Sequence, residues 1–398
     1  MNPLITPREA FRLVLEALAP LPPERQPLGA CINRVLREDL HADRDFPPFH
    51  RVMMDGIACR YEDLHSYPSL SSQQLHPAGA PDPGSLPSGH CYQVMTGAVL
   101  PDSCDTVVPY EEITLRGDSA RPRDLSTIGR GQFIHQQGSD AQTDDLLLSA
   151  PARLSPACLA LAASTGHAFP LVTRQARIHL FSTGDELVPI DSNPAPHQVR
   201  MSNIPALAAA LTASNFTHHC SSHLADTTEA VSTAFSKALE SSDVILCSGG
   251  ISKGKRDFIR PVLEKLVGPP LFHGVSQRPG KPLAFWTTGK VHIFALPGNP
   301  NSTLACFYRY VLPALRQLEG LSDPPTMVTA SALQRAPLPH PKLNQLLSAT
   351  QGPDGSLELL VPQNSGDFLS TLSATHLVEV PAGKVGVTPE AYQVFAMA

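Results

Sequence analysis

The sequence predicts a multidomain α/β protein whose centre is a three-layer α/β/α domain on a mainly parallel sheet. Three observations predict it. Between residue 176 and about residue 325, short apolar strand-like runs alternate with helical patterns. A polar, often glycine-bearing loop follows each of several such runs. The last part of the chain, after about Pro325, reads as short strands broken by turns such as GPDG and PAGK, a small β domain. At 398 residues the chain is too long for one ordinary domain and implies two to four.

Taken in order, the N-terminal segment MNPLITPREAFRLVLEAL reads as an amphipathic helix, with Phe11, Leu13, Val14, Leu15 and Leu18 toward one face. It has no basic region leading into an apolar run and a small-residue cleavage site, so a cytoplasmic protein is expected. The region before Ala176 is irregular and strand-like, with a helix over Leu154 to Ser164. Then come a strand over Ala176 to Thr183, a helix over Ile204 to Ser214 and a strand over His218 to Ser222. DTTE begins the next helix, with Asp226 as its cap, and the helix runs to about Ser241. Asp243 to Cys247 is a strand broken by SGG, Phe258 to Leu266 a helix, and Val291 to Leu296 a strand with a helix from near Thr303. In such sheets, ligands bind beyond the carboxyl ends of the strands. Three polar loops fall there: Gly184 to Glu186, Ser248 to Asp257, and Pro297 to Ser302.

Composition removes several classes of function. The formal net charge of −6 and the want of any basic run argue against nucleic acid as a partner. No apolar run is long enough to cross a bilayer, so no membrane is expected. The eight cysteines form no CxxC pair, and they read as reduced, mostly buried thiols. The sixteen histidines show no metal-ligand spacing, and no GxSxG turn is present.

Five acidic residues stand in polar or glycine-bearing loops: Asp55 in VMMDGIA, Asp140 in QQGSDA, Glu186 in STGDEL, Asp226 in LADTTE and Asp257 in SKGKRDF. Carboxylates there suit magnesium, general-base work or hydrogen bonds to a ligand's amino groups. Each also has an ordinary explanation as a turn, a cap or a solvated charge. The SGGISKGK loop puts backbone N–H groups and two lysines near a helix start, which favours an anion, although the P-loop ending is missing. Arg278 and Lys281 flank a Pro-Gly turn in RPGKPLAF and suit an oxyanion or a phosphate. PGNPNS offers N–H groups in the same way. Together the loops propose a magnesium- and anion-dependent site on an α/β sheet.

Read together, these segments resemble the molybdopterin molybdotransferases, the MoeA family, which includes the E domain of gephyrin. The stretches that carry the likeness are PPFHRVMMDGIA, VMTGAVLPDSCDTVVPYEE, FSTGDEL, SGGISKGKRDF, RPGKPLAF and ALPGNPNSTLACF, in the family's order and spacing. The resemblance implies an enzyme that takes adenylylated molybdopterin and molybdate as substrates. It inserts the molybdate, hydrolyses the adenylate with Mg2+ and releases AMP and molybdenum cofactor. It further implies a homodimer, and contact with the upstream molybdopterin adenylyltransferase and with downstream molybdoenzyme maturation proteins. The α/β domain is expected to be MoaB/Mog-like over 176–325. An elongated dimerisation region is expected over 1–22, 44–54 and 140–175, a β-rich inserted domain over 55–139, and a C-terminal β domain over 326–398 with 23–43.

Carried over position by position, Asp55, Asp140, Glu186, Asp226 and Asp257 are the catalytic acids, and Glu186, Asp226 and Asp257 serve magnesium. Arg278, Lys281 and Ser302 match positions the family associates with molybdate, with Ser365 at the same end. Thr96, Ser182, Thr183, Gly184, Ser248, Gly249, Gly250, Pro297, Gly298 and Asn299 complete the expected ligand-binding set. Some positions depart from the family pattern. Arg51, Val52 and Met53 stand where Asn-Ser-Ala is usual, and His135, Gln136 and Gln137 where arginines are usual. Lys253 and Lys255 replace residues that are commonly apolar and acidic, and Ser348 replaces an arginine. The retained carboxylates favour an active transferase. The altered cations favour the alternative, a diverged carrier or scaffold for molybdenum cofactor. The extra domains argue against the sister activity, adenylylation of molybdopterin.

Overall fold

The computed structural model describes residues 4–251, 258–321, 326–334, 337–362, 367–383 and 391–397. The chain divides into two compact units. One comprises Met1–Glu24, Asn33–Val35 and Leu171–Ala398, the other Arg25–Ile32 and Leu36–Pro170.

The larger unit opens with helix α1 (Pro7–Glu16), capped by Thr6, whose hydroxyl accepts from Glu9 N–H at 3.2 Å. Its Ala10 and Val14 are buried, as the amphipathic pattern requires.

The smaller unit is β-rich. Strands β1 (Gly56–Cys59), β2 (Leu70–His76), β3 (His90–Val94), β4 (Thr106–Pro109), β5 (Ile113–Arg116) and β6 (Ser119–Pro122) form a sheet in the order β4-β1-β3-β2-β6-β5. Helix α2 (Pro156–Ser164) lies in the same unit, at the place the sequence indicates. Cys59, Cys91 and Cys104 are buried here as free thiols, and burial pushes Cys91 and Cys104 up to about 12. Such thiols are inert apolar packing, which is the role expected of them.

The larger unit then builds the α/β layer. Its elements are β7 (Ile178–Thr183), α3 (Asn203–Ala213), β8 (His219–Leu224), α4 (Thr228–Ser241), β9 (Val244–Ser248), α5 (Ile259–Val267), β10 (Phe272–His273), β11 (Ala284–Thr287), β12 (His292–Leu296) and α6 (Pro300–Cys306). A π-helical turn over Phe307–Val311 joins α6 to α7 (Leu312–Leu318). Strand order is β8-β7-β9-β12-β11-β10, with the first four parallel, β11 antiparallel to β12, and β10 antiparallel to β11. Alternation along the strands fills both faces. Leu180, Leu246 and Phe294 pack with Leu207 and Leu211 of α3, with α1 and with α7. Phe181, Ile245, Cys247, Ile293 and Ala295 pack with Phe235 of α4 and Val262 and Leu263 of α5. Burial on both faces is what gives near-continuous apolar runs, rather than alternation with polar residues.

Two of the boundaries that differ from the sequence expectation have a plain local cause. Thr227, not Asp226, caps α4, its hydroxyl accepting from Ala230 N–H at 3.2 Å. A threonine directly before the helix is the better-placed acceptor, and Asp226 is left one residue outside. Helix α6 begins at Pro300 rather than near Thr303, because proline at the first helical position needs no N–H partner.

The C-terminal strands β13 (Thr326–Thr329), β14 (Asn344–Gln351), β15 (Leu357–Leu360), β16 (His376–Val380) and β17 (Ala391–Ala396) form the expected small sheet. Its order continues from Gln277–Arg278 through β14, β16 and β17 to β13, with β15 paired to β14. Arg309 of the π-helical turn donates to Glu379 of β16 at 2.6 Å, with both side chains buried.

At the start of β9, buried Asp243 accepts from Arg174 at 2.8 and 2.9 Å and from the backbone N–H of Arg177 at 2.8 Å. Burial opposes its charge, but the bonds from Arg174 and Arg177 win and hold its carboxyl at about 2. Its folded pKa lies below its unfolded one, so its contribution is present above pH ~4 and is lost as pH falls through about 2. Asp243→Asn is therefore expected to cost about 2 kcal/mol near neutrality. That penalty shrinks from about pH 4 downward. Denaturant unfolding of both forms across a pH series measures it.

Candidate active site

The in-register parallel strands bring their polar ends to one edge. Ser182 of β7 is level with His223 of β8 and with Ser248 of β9, and Ser248 is level with Leu296 of β12. The loops that follow enclose a cavity of about 690 Å³. Its walls include ten of the residues expected from sequence: Ser182, Thr183, Gly184, Glu186, Asp226, Ser248, Gly249, Gly250, Pro297 and Gly298.

Local chemistry explains the glycine turns. Gly184 has φ +134°, and a Cβ there would lie 2.6 Å from Oε1 of Glu186, whose carboxylate folds back over it. Gly250 has φ +65°, and its Cβ would lie 2.8 Å from the Thr183 hydroxyl and 3.0 Å from Ile259. The turns are therefore glycine so that β7 and β9 can end side by side beneath the cavity floor.

A hydrogen-bond chain ties the loops. Asn203 Nδ2, at the start of α3, donates to Ser248 Oγ and to the Gly298 carbonyl, both at 2.7 Å. Ser248 Oγ donates in turn to the Pro297 carbonyl at 3.3 Å. The Thr303 hydroxyl closes the far loop by donating to the Pro297 carbonyl at 2.6 Å. The Ser182 hydroxyl meets His223 Nδ1 at 3.0 Å, and the backbone N–H of Asp226 donates to Asp185 at 3.3 Å. Two buried polar atoms of the lining have no partner among the described residues: Thr183 Oγ1 and Asn203 Oδ1. Buried polar atoms are rarely left so unless a ligand or water completes them.

Other expected residues lie elsewhere. Arg278 and Lys281 are exposed beside the turn whose next residue, Pro282, lines the cavity. Ser302 is buried in the first turn of α6, and Asn299 is its N-cap residue. Neither is part of the lining. Asp257, Lys253, Lys255 and Ser365 lie outside the described residues. Ser348 is buried on β14.

Asp55, Thr96 and Asp140 belong to the smaller unit. Asp55 accepts from the Thr96 N–H at 2.6 Å and the Thr96 hydroxyl at 2.8 Å, and these bonds hold its carboxyl below the usual range. Asp140 accepts from His135 Nε2 at 2.8 Å, and Arg51 meets His135 Nδ1 at 2.8 Å. Arginine only donates, so His135 Nδ1 is the acceptor and Nε2 carries the proton toward Asp140. Two of the positions that depart from the family pattern, Arg51 and His135, are thus direct partners, placed by the pairing of Arg51–Val52 with Ile134–His135.

Sequence reasoning did not single out Asn203, Arg200, Met201 or Phe368, which also line the cavity. Asn203 lies one residue before the helix expected from Ile204 and belongs to no motif of its own. Val199–Arg200 pairs with Leu187–Val188 in a two-residue ladder too short to show periodicity.

A mainly parallel sheet with a glycine-walled, carboxylate-bearing cavity at its strand ends defines an α/β ligand-binding protein of the doubly wound class. Residues 5–166 match the MoeA N-terminal region (domain I and II), and residues 179–317 match the probable molybdopterin binding domain. The molybdopterin molybdenumtransferase of Synechocystis sp. is 36% identical over 360 residues, 84% of this chain and 90% of that one. Gephyrin of Dictyostelium discoideum is 30% identical over 355 residues, 78% of this chain and 49% of gephyrin. The molybdopterin biosynthesis MoeA protein of Pyrococcus horikoshii superposes with a TM-score of 0.80 at 25% identity, with all of both chains covered. The chain belongs to the MoeA family of molybdopterin molybdenumtransferases, as the sequence motifs indicated. The multidomain α/β fold expected from sequence is the fold found.

Gly250→Ala is expected to destabilise the chain by about 1–3 kcal/mol, since it meets both an unfavourable φ and the Thr183 hydroxyl. Thermal unfolding measures this, and an unchanged melting temperature would contradict the turn geometry.

Proposed function

We propose that this chain is a molybdopterin molybdenumtransferase that inserts molybdate into adenylylated molybdopterin and releases AMP. The observation that carries the reading is the cavity itself, where two carboxylates, Glu186 and Asp226, share the walls with the Gly249–Gly250 and Pro297–Gly298 turns. Membership of the family supplies the substrate class.

The donor set fits Mg2+, a hard cation that takes one or two carboxylates beside substrate phosphates. Among the described residues no three His, Cys, Asp or Glu side chains form a metal group on their own. Two carboxylates completed by a phosphate are thus the arrangement proposed for the cavity, with Asp257 the third acid expected from sequence. Mg2+ held there would neutralise phosphate charge and ease displacement at the phosphoanhydride-like bond.

The protein's own groups do the rest. The Gly249–Gly250 and Gly298 backbones let a phosphate approach closely. The Asn203–Ser248–Pro297 chain fixes the distance between those two turns. Arg278 and Lys281, exposed beside Pro282, are the cations proposed to receive molybdate, a tetrahedral dianion. Asp55 and Asp140, each held by its own hydrogen bonds, are proposed to serve the reaction across a homodimer. A homodimer, and contacts with the adenylyltransferase upstream and maturation proteins downstream, belong to the same proposal. Among the described residues no helix is long and apolar enough to cross a membrane.

Incubation of the purified chain with adenylylated molybdopterin, Mg2+ and molybdate is expected to release AMP in a molybdate-dependent manner. Tight binding of the adenylate with no AMP release would overturn the transferase reading in favour of a carrier. Glu186→Gln is expected to lower the rate by about 100-fold or more without changing the melting temperature. Arg278→Ala is expected to raise the molybdate requirement more than it weakens adenylate binding. An equal loss of both would remove that division of labour.

A further inference from the structure

Asn203 carries a constraint that identifies one feature of the ligand. Its side-chain amide is not free to turn. One of its two bonds goes to the Gly298 carbonyl at 2.7 Å, and a carbonyl only accepts, so the atom facing it is the nitrogen. The same nitrogen donates to Ser248 Oγ at 2.7 Å. Flipping the amide would set two oxygens against each other and break the tie between the loops after β9 and β12. The oxygen, Oδ1, is therefore fixed on the other side. It is buried, it has no partner among the described residues, and Asn203 lines the cavity. An amide oxygen can only accept. A buried acceptor without a donor costs stability until something supplies one.

Nearby side chains do not meet the need. The Ser248 hydroxyl is committed to the Pro297 carbonyl, and the Ser182 hydroxyl lies against His223 and the Met201 sulfur, at 3.0 and 3.5 Å. Thr183, a buried residue that also lines the cavity, has an Oγ1 that is likewise unpartnered, and a hydroxyl can accept as well as donate. The wall thus presents a fixed acceptor and an adaptable hydroxyl.

We propose that Asn203 is a specificity-determining residue whose Oδ1 accepts a hydrogen bond from an amino group on the heterocycle of the bound ligand. The proposal rests on the reading that this cavity seats adenylylated molybdopterin. Two amino-bearing rings of that substrate share the chemistry, the adenine and the pterin.

The test uses the full chain and two matched pairs of probes. AMP is compared with purine riboside monophosphate, which has no 6-amino group. Pterin is compared with pteridin-4-one, which has no 2-amino group. Binding is measured by titration calorimetry. In one pair the amino compound is expected to bind about ten-fold or more tightly than its partner, because the partner leaves Oδ1 buried and unpaired. The discriminating pair identifies the ring. In Asn203→Ala that ratio is expected to fall to about one. The comparison in the unaltered chain needs no variant, so a poorly folding Asn203→Ala does not remove the test. Equal affinities within both pairs would overturn the assignment to Asn203 while leaving the cavity as the site. Failure of all four compounds to bind would overturn the reading of the cavity, and the proposal with it.

Discussion

Everything proposed for this chain depends on the register of four parallel strands. Because Ser182, His223, Ser248 and Leu296 stand level across β7, β8, β9 and β12, the chain leaves the sheet at one height on each strand. A one-residue slip would exchange Phe181 with Leu180, and Cys247 with Leu246, between the two buried faces, and each face has a different set of helices to fit. The apolar packing that fixes the fold therefore also aligns the site. Asn203 then locks what the register delivers, joining the start of α3 to the ends of β9 and β12 through two bonds from one amide nitrogen.

A second constraint acts within the larger unit. Arg309 sits in the π-helical turn between α6 and α7 and bonds to Glu379 of the C-terminal sheet. Its guanidinium also lies 4.5 Å from the Phe11 ring centroid of α1 and 4.7 Å from that of Phe395. One fully buried cation thus touches the N-terminal helix, the α/β layer and the C-terminal strands. Such a pair is poor evidence of net stability, since desolvation offsets much of its attraction, but removing one partner leaves a buried charge and is costly. Its physical effect is to specify how these elements meet.

Much of this was legible in the sequence, for definite reasons. Strands β9 and β12 are short apolar runs because both of their faces are buried, and they were placed within a residue or two. Glycine turns at their ends announce themselves because few other residues tolerate the backbone. Glu186 and Asp226 were named from sequence because a carboxylate in a glycine or polar turn at a strand end is conspicuous, and both line the cavity. What escaped was carried by contacts between distant segments. Asp226 was read as a cap because DTTE fits the pattern, yet Thr227 holds the N–H. Asn203 stands just before the helix expected from Ile204, and only its distances to Ser248 and Gly298 reveal the clamp. Arg51 and His135 read as two separate departures from the family pattern. Their strand pairing makes them a single hydrogen-bonded unit with Asp140.

The substrate's phosphate is proposed to sit at the carboxyl ends of β7, β9 and β12, between the glycine turns and the Glu186 and Asp226 carboxylates. A crystal structure of the chain with AMP and Mg2+ tests it most directly. Phosphate density is expected in the cavity against Gly249, Gly250 and Gly298, with the cation on Glu186 and Asp226. Nucleotide density elsewhere on the molecule, with this cavity holding only solvent, would contradict it.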